Sequence, residues 1–415
     1  MKVLLVNKFH YKKGGAETYY FTLAEALKAR GHEVIFFSMK DEKNVPCGQE
    51  KYFVSNASVN GSIRSRINMA MRLVYSKEAY QNMTRLLQDE RPDLVMLNNI
   101  HRQITLSVID AVKDFDPNLP IFWTMHDLMA ACPAYVMLDG AGRICEQCLD
   151  GDFGHCVENR CIKGSLPMGV LAKYEADFIR RKGLYYKVDL YICPSEFNLK
   201  MLKRSGFTDR QMVMMRNPLP VDARYELSKG SRDYLLYFGR LSREKGVQTL
   251  IDAVRKVGCR LEILGTGPVE QELKNYVKTT GAGKITFRGY QSGKTLVDFI
   301  RESRCVVVPS ICYENAPYSV MEAMALGKPL IVSSYGGLPE LVEDGENGYV
   351  YDAAGSGVVD RLEKCIRKIF TLSEKEYKRM EQCSLDRAEN LFGTAQYVKK
   401  IEGFLASTRK QERKA

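Results

Sequence analysis

A chain of 415 residues is too long for one compact core, and at roughly 100–200 residues per domain it divides into two or three domains, two being the economical reading. Its formal charge of +11, from 61 Lys and Arg against 50 Asp and Glu, is shared almost evenly by the two halves; this argues against the clustered basic face of a nucleic-acid binder and is compatible with anionic substrates or loose contact with an acidic membrane surface. No stretch approaches the ~18 apolar residues that span a bilayer, and residues 1–7 read as a buried strand and not as a signal peptide, so a cytoplasmic protein, at most peripheral at the inner face of a membrane, is expected.

Strand-like apolar runs alternate with helical patterns from the first residues: a strand at 3–6, a helix over 18–29, a strand at 34–37. Further strands are predicted at 94–97, 121–124 and 190–192. Alternation of this kind indicates a parallel sheet wrapped by helices. Residues 216–222 carry two prolines and mark a first crossing between domains. The rhythm then restarts at 234–238 and continues through 261–264, 285–287, 305–308 and 330–332. Residues 385–406 are helical in pattern and include Phe392 and Tyr397, and the charged tail 409–415 is expected to fray. The expected division is a first Rossmann-like domain over 1–215, carrying a Cys-rich insert at 132–161, and a second over 216–384.

The segment 309–329 holds two carboxylates, Glu314 and Glu322, with seven residues between them. A strand precedes it, Pro317 suits a first helical position, and Gly327 followed by Pro329 ends the helix, which places Glu314 on a loop and Glu322 on the helix. A helix start aims backbone N–H groups and a positive dipole end at an anion and makes a natural diphosphate site. Two carboxylates beside it suit neutral, hydroxyl-rich groups such as a ribose and a sugar. In Gly239-Arg240-Leu241 with Glu244-Lys245-Gly246, two cations five residues apart follow a strand. Alone this is an ordinary solvated loop; placed after the first strand of a sheet, Arg240 with directed hydrogen bonds and Lys245 with a mobile point charge converge on phosphates. Gly265-Thr266-Gly267 lacks the third glycine of a dinucleotide fingerprint and reads as a strand-to-helix turn. Gly14 and Gly15 lie between the first strand and its helix, where a backbone without side chains approaches a ligand closely. His126 stands at the carboxyl end of the strand 121–124.

Together with Gly31-His32-Glu33-Val34, Thr124-Met125-His126-Asp127, Pro194-Ser195, Gly336-Gly337-Leu338-Pro339-Glu340 and Gly345-Glu346-Asn347-Gly348, all in one order, these segments resemble the retaining family 4 glycosyltransferases, or glycosyl transferases group 1. The likeness covers nearly the whole chain. It implies an α/β, GT-B architecture of two Rossmann-like parallel-sheet domains facing across a cleft, with the helices of 385–415 crossing back to pack on the first. It implies a hexosyltransferase-type enzyme that moves a sugar from a nucleotide diphosphate sugar to an acceptor hydroxyl on a glycan or lipid-linked glycan, in cell-surface polysaccharide or glycolipid synthesis, with no nucleic-acid partner. By resemblance Arg240 and Lys245 meet the donor diphosphate and stabilise the leaving group, so that no catalytic metal is needed. Glu314 would touch the transferred sugar and Glu322 the ribose, with backbone N–H groups of Asn315, Ala316, Tyr318 and Ser319 as further donors. Tyr290 would lie near the base, the Gly14-Gly15 loop would meet the donor phosphate across the cleft, and His126 would lie beside the donor sugar; the role of Asp127 stays open. A nucleotide-sugar epimerase of the same architecture is disfavoured by the Glu-x7-Glu helix, a non-catalytic sugar-binding homologue by the joint presence of Glu314, Arg240, Lys245 and His126, and a nicotinamide oxidoreductase by the absent fingerprint.

Five of the 12 cysteines, Cys132, Cys145, Cys148, Cys156 and Cys161, fall in the insert. The spacing Cys145-x-x-Cys148 is that of a metal knuckle, and Cys156 with Cys161 completes a tetrahedral thiolate set. A structural zinc is one reading, with His155 or Cys132 able to replace a ligand; reduced thiols in a folded loop are the other. Because the insert follows His126 and Asp127, it is expected to overhang the acceptor side.

Overall fold

The computed structural model describes residues 1–56, 70–220, 223, 225–227 and 233–412, with side chains through residue 408. Val221 and Asp222 of the expected crossing, and residues 413–415 of the tail, lie outside the described residues. The chain divides into two compact units, Met1–Val221 with Thr394–Ala415, and Asp222–Gly393.

Among the described residues each unit is built on one six-stranded sheet. The first contains β1 (Lys2–Val6), β2 (Glu33–Phe37), β3 (Leu94–Leu97), β4 (Ile121–Thr124), β5 (Leu190–Cys193) and β6 (Met212–Met214), in the order β2-β1-β3-β4-β5-β6. The second contains β7 (Tyr234–Phe238), β8 (Arg260–Leu264), β9 (Ile285–Gly289), β10 (Cys305–Val308), β11 (Leu330–Ser333) and β12 (Gly348–Tyr351), in the order β12-β11-β10-β7-β8-β9. Every pairing is parallel. The central strands read as unbroken apolar runs because helices cover both faces: Val3, Leu4, Leu5 and Val6 are all buried, as are Cys305, Val306, Val307 and Val308.

Strand order reverses between β1 and β3 in the first sheet and between β7 and β10 in the second. At such a switch point the connections leave in opposite directions and a crevice opens at the carboxyl ends of the strands, where open α/β sheets take their ligands. Arg240, Lys245 and Glu314 follow strands of the second sheet at those ends, and His126 and Asp127 follow β4 of the first.

Three details depart from expectation. β6 and β12 were not predicted; both are short edge strands, and β12 begins inside what reads as a Gly-Glu-Asn-Gly turn. Residues 385–391 continue the helix Glu374–Leu391, which belongs to the second unit, and the return to the first begins only at Thr394. The reason is a buried tie: Lys328 Nζ stands 3.4 Å from Glu381 Oε1, and Ser384 Oγ donates to the Lys328 carbonyl at 2.7 Å. The last helix, Thr394–Glu412, stays helical through residues 409–412, where fraying was expected.

Candidate active site

In the second unit the turn after β7 and the loop after β10 meet over the switch point. The 3-10 turn Arg243–Lys245 ends on Gly246 at φ 66°, and a Cβ there would stand 2.0 Å from the Pro309 carbonyl oxygen, so only glycine lets the two loops touch. Ile311 N–H donates to the Glu244 carbonyl at 2.9 Å and closes the seam. Its consequence is the ion pair Lys245–Glu314: Nζ lies 2.6 Å from Oε1, and the Ser310 hydroxyl donates to the same oxygen at 2.6 Å. Burial alone would raise the Glu314 carboxyl; the Lys245 ammonium and the Ser310 hydroxyl outweigh it and hold the group below the ordinary carboxylate range. Burial likewise opposes the Lys245 charge, and Glu314 more than restores it.

Glu314 is fixed through its backbone as well. Gly337 N–H donates to its carbonyl at 2.6 Å, and Gly336, at φ 69°, would place a Cβ 2.1 Å from that oxygen. The glycine pair of the Gly336-Gly337-Leu338-Pro339-Glu340 motif thus serves to seat Glu314, a role the sequence did not reveal.

The helix that follows is Tyr318–Ala325. Pro317 is its N-cap, one place earlier than expected: its ψ of 133° is extended, and its carbonyl accepts from Val320 N–H at 3.1 Å and Met321 N–H at 3.4 Å. Ala316 and Tyr318 are buried, Asn315 and Ser319 half-buried beside the helix start. Glu322 lies one turn in, half-buried, and burial pushes its carboxyl up to about 7. Among the described residues its carboxylate accepts no hydrogen bond. A carboxyl so placed gains from any neutral hydroxyl that donates to it. Arg240 is exposed on the same edge, its loop braced by Tyr237 Oη donating to the Arg240 carbonyl at 2.8 Å and by Leu241 N–H donating to Thr266 O at 3.0 Å. The Gly265-Thr266-Gly267 turn therefore supports the Arg240 loop. Tyr290, after β9, is 73% exposed.

In the first unit Gly14 and Gly15 are exposed at the start of the helix Gly15–Ala29. His126, after β4, stacks edge-on against Tyr19 at 4.7 Å and bonds Asn98 Oδ1 through Nε2 at 3.0 Å. Asn98 Nδ2 already donates to the Val6 carbonyl at 3.2 Å, so Oδ1 must accept and Nε2 must carry the proton. The Nδ1 of a neutral His126 is then an acceptor. Burial lowers its pKa to about 3, which keeps the ring neutral near pH 7.

In the insert, Cys132, Cys148 and Cys156 are buried and Cys145 and Cys161 half-buried, all as free cysteines. Burial raises the Cys156 thiol to about 12 and the Cys132 thiol to about 11. Among the described residues no group of three or more His, Cys, Asp or Glu side chains is placed to hold a metal ion. The Cys148 thiol nonetheless feels Cys132, Cys156, Cys145 and Cys161, a hydrogen bond joins the Cys156 and Cys161 thiols, and Cys145 Sγ lies 3.7 Å from Gln147 Oε1.

A family described as Glycosyltransferase Family 4 matches residues 13–223, and Glycosyl transferases group 1 matches residues 222–384. An uncharacterized glycosyltransferase of Methanocaldococcus jannaschii is 37% identical over 123 residues, a stretch that is 28% of this chain and 31% of that one, so the match spans under a third of that relative. Spore coat protein SA of Bacillus subtilis is 24% identical over 394 residues, 92% of each chain. Among solved structures, HepE of Anabaena in complex with UDP superposes over 98% of this chain and 100% of its own, with a TM-score of 0.68 at 16% identity, a likeness of fold.

Proposed function

Because the chain belongs to glycosyltransferase family 4, with a group 1 second unit, we propose that it transfers a hexose from a nucleotide diphosphate sugar to an acceptor hydroxyl with retention at the anomeric carbon, in cell-surface polysaccharide or glycolipid synthesis. The observation that carries the reading is the Lys245–Glu314 pair at the β7/β10 switch point, beside the start of the helix Tyr318–Ala325. The donor diphosphate takes the Lys245 ammonium and the Arg240 guanidinium, together with backbone donors around Asn315, Ala316, Tyr318 and Ser319. As Lys245 turns to phosphate, the Glu314 carboxylate is released to accept from hydroxyls of the transferred sugar, and Glu322 accepts from the ribose. Tyr290 stands near the base.

Charge grows on the diphosphate as the glycosidic bond breaks, and fixed cations stabilise it more in the transition state than before. The acceptor hydroxyl attacks from the face the leaving group has just vacated, within a short-lived ion pair, and passes its proton to the departing diphosphate. His126 Nδ1 accepts a hydrogen bond from a sugar or acceptor hydroxyl and orients it, and the Gly14-Gly15 backbone serves the donor phosphate. HepE, bound to UDP, supports a uridine nucleotide as the first donor to try. Exposed Leu166, Met168, Val170 and Tyr174 on the helix Leu166–Arg181, in a chain of charge +11, support peripheral contact with an acidic membrane surface, which flotation with phosphatidylglycerol vesicles tests. The structural zinc of Cys145, Cys148, Cys156 and Cys161 rests on their spacing and on the nearness of these thiols to one another; elemental analysis of protein purified without a metal-affinity tag decides it. The reading as a whole is tested by incubating the protein with a panel of nucleotide sugars and measuring nucleoside diphosphate release. Slow hydrolysis of one donor is expected, and neither binding nor release with any donor would overturn it.

A further inference from the structure

The first sheet has a switch point of its own, between β1 and β3, and its loops gather charge that the donor chemistry leaves unused. Lys8 follows β1, Arg102 follows β3 and Asp127 follows β4; Glu175 reaches the same place from the helix Leu166–Arg181. Lys8 N–H donates to the Asn99 carbonyl at 2.9 Å and Asn99 N–H to Asn7 Oδ1 at 3.2 Å, so the two walls of the crevice are stitched together. Arg102 stands at φ 72° and Thr105 at φ 69°, left-handed conformations that a non-glycine residue adopts at a cost. The Arg102 guanidinium is held in place, its Nη2 donating to the Pro133 carbonyl at 2.9 Å and its Nε facing Glu175 Oε2 at 3.4 Å. By contrast the Lys8 ammonium makes no ion pair among the described residues, although burial depresses its pKa. A half-buried ammonium that lies in the field of Asp127 and Glu17 but is bonded to neither, beside a positioned guanidinium, leaves room for an anion. Burial works against the charge of the carboxyls nearby. Burial raises both Asp127 and Glu175, the latter to about 7 even against Arg102 and Lys8.

We propose that Lys8 and Arg102 form an anion subsite at the β1/β3 switch point which takes a phosphate or carboxylate group carried by the acceptor. The inference rests on the glycosyltransferase reading only for the word acceptor; the subsite itself rests on the first unit alone. Two sources share this chemistry, the diphosphate of a lipid-linked glycan and the carboxylate of an acidic sugar.

Inorganic pyrophosphate and glucuronate serve as probes for the two, titrated into the full chain and followed by calorimetry. Pyrophosphate is expected to bind at two sites, one lost in Lys245→Ala and the other in Lys8→Gln, each with affinity falling roughly ten-fold or more, as for a lost charge-assisted hydrogen bond. Lys8→Gln removes no hydrogen bond or ion pair of the described residues, so an unchanged melting curve is expected to accompany the loss. If glucuronate alone shows the Lys8-dependent site, the acceptor group is a carboxylate; if pyrophosphate alone, a phosphate. Affinity at the Lys8 site should also fall as pH rises through about 7, where Glu175, which faces Arg102, Lys8 and Tyr185, gains its charge. An unaltered Lys8→Gln titration with both probes overturns the subsite, whereas an unaltered Lys245→Ala titration would overturn the donor assignment instead.

Discussion

On the proposed reading, a donor diphosphate would have to draw the Lys245 ammonium away from a carboxylate 2.6 Å distant, so the pair would hold that cation in reserve until the donor arrives. Lys245→Ala and Arg240→Ala are each expected to lower kcat by about 10²- to 10³-fold at saturating donor, the usual loss for one oxyanion-stabilising donor. Near-wild-type turnover in both would refute the diphosphate role. Glu322 gives a pH signature with a definite sign. Its folded pKa of about 7 lies above the ordinary 4.5, so between these values the folded state holds more protons and the fold loses stability as pH rises. A ribose diol donating into the carboxylate favours its ionised form, and nucleotide affinity should therefore strengthen as pH rises through about 7. Glu322→Gln should flatten both trends, read as melting temperature and nucleotide Kd between pH 5 and 8; a pH-independent Kd in the native protein would remove Glu322 from the site. The placing of Glu314 on a loop and Glu322 on a helix was legible, because Pro317, Gly327 and Pro329 punctuate that stretch of chain. The direct contact of Glu314 with Lys245 was not. The two are 69 residues apart, and only the three-dimensional meeting of the β7 and β10 loops joins them.

At the level of elements, apolar runs announced the central strands because both faces of a parallel sheet are covered. β6 is only three residues long and β12 begins inside the Gly-Glu-Asn-Gly turn, and both went unseen, whereas the edge strands β2 and β9 carry apolar runs and were foreseen. The assignment of the helix Glu374–Leu391 failed on a different point. Lys328, in a Gly-Lys-Pro turn that looks solvent-facing, is fully buried against Glu381 of that helix, and nothing local in either segment foretells the pair. Truncating one partner leaves the other charge without compensation, which costs about 3–5 kcal/mol, whereas replacing both with apolar side chains costs far less. Lys328→Ala should accordingly destabilise the chain by about 3 kcal/mol or more, and Lys328→Met combined with Glu381→Leu should recover most of the loss, measured by denaturant unfolding. Equal losses in the single and the double variant would show that packing of the aliphatic stem, and not the pair of charges, ties the helix down.

For the molecule as a whole the decisive element is the last helix, which follows the second unit in sequence and belongs to the first in space. Two kinds of contact dock it, and magnitudes separate them. At the surface Glu402 takes Arg30 Nε at 2.9 Å and Nη2 at 2.7 Å, with His32 Nε2 at 2.8 Å. Arg30 holds the Glu402 carboxyl down to about 2, and the contribution of such a depressed acid is present above its unfolded pKa and fades as pH falls toward 2. Solvent screens a pair this exposed, so Arg30→Gln should move the melting temperature little. Inside, Val398 and Ile401 are completely buried, and Tyr397 Oη meets Tyr19 Oη at 2.7 Å, which in turn meets Thr124 Oγ1 at 2.8 Å under His126. Ile401→Ala should cost about 2–5 kcal/mol through the cavity it leaves. Because that loss falls on the unit bearing His126, it should lower the first unfolding transition while nucleoside diphosphate binding to the second unit persists. A calorimetric scan of Ile401→Ala with and without UDP separates the outcomes: one early transition insensitive to nucleotide and one later transition raised by it are expected. A single merged transition that nucleotide fully restores would mean instead that the last helix is held by the second unit's stability and not by its own buried face.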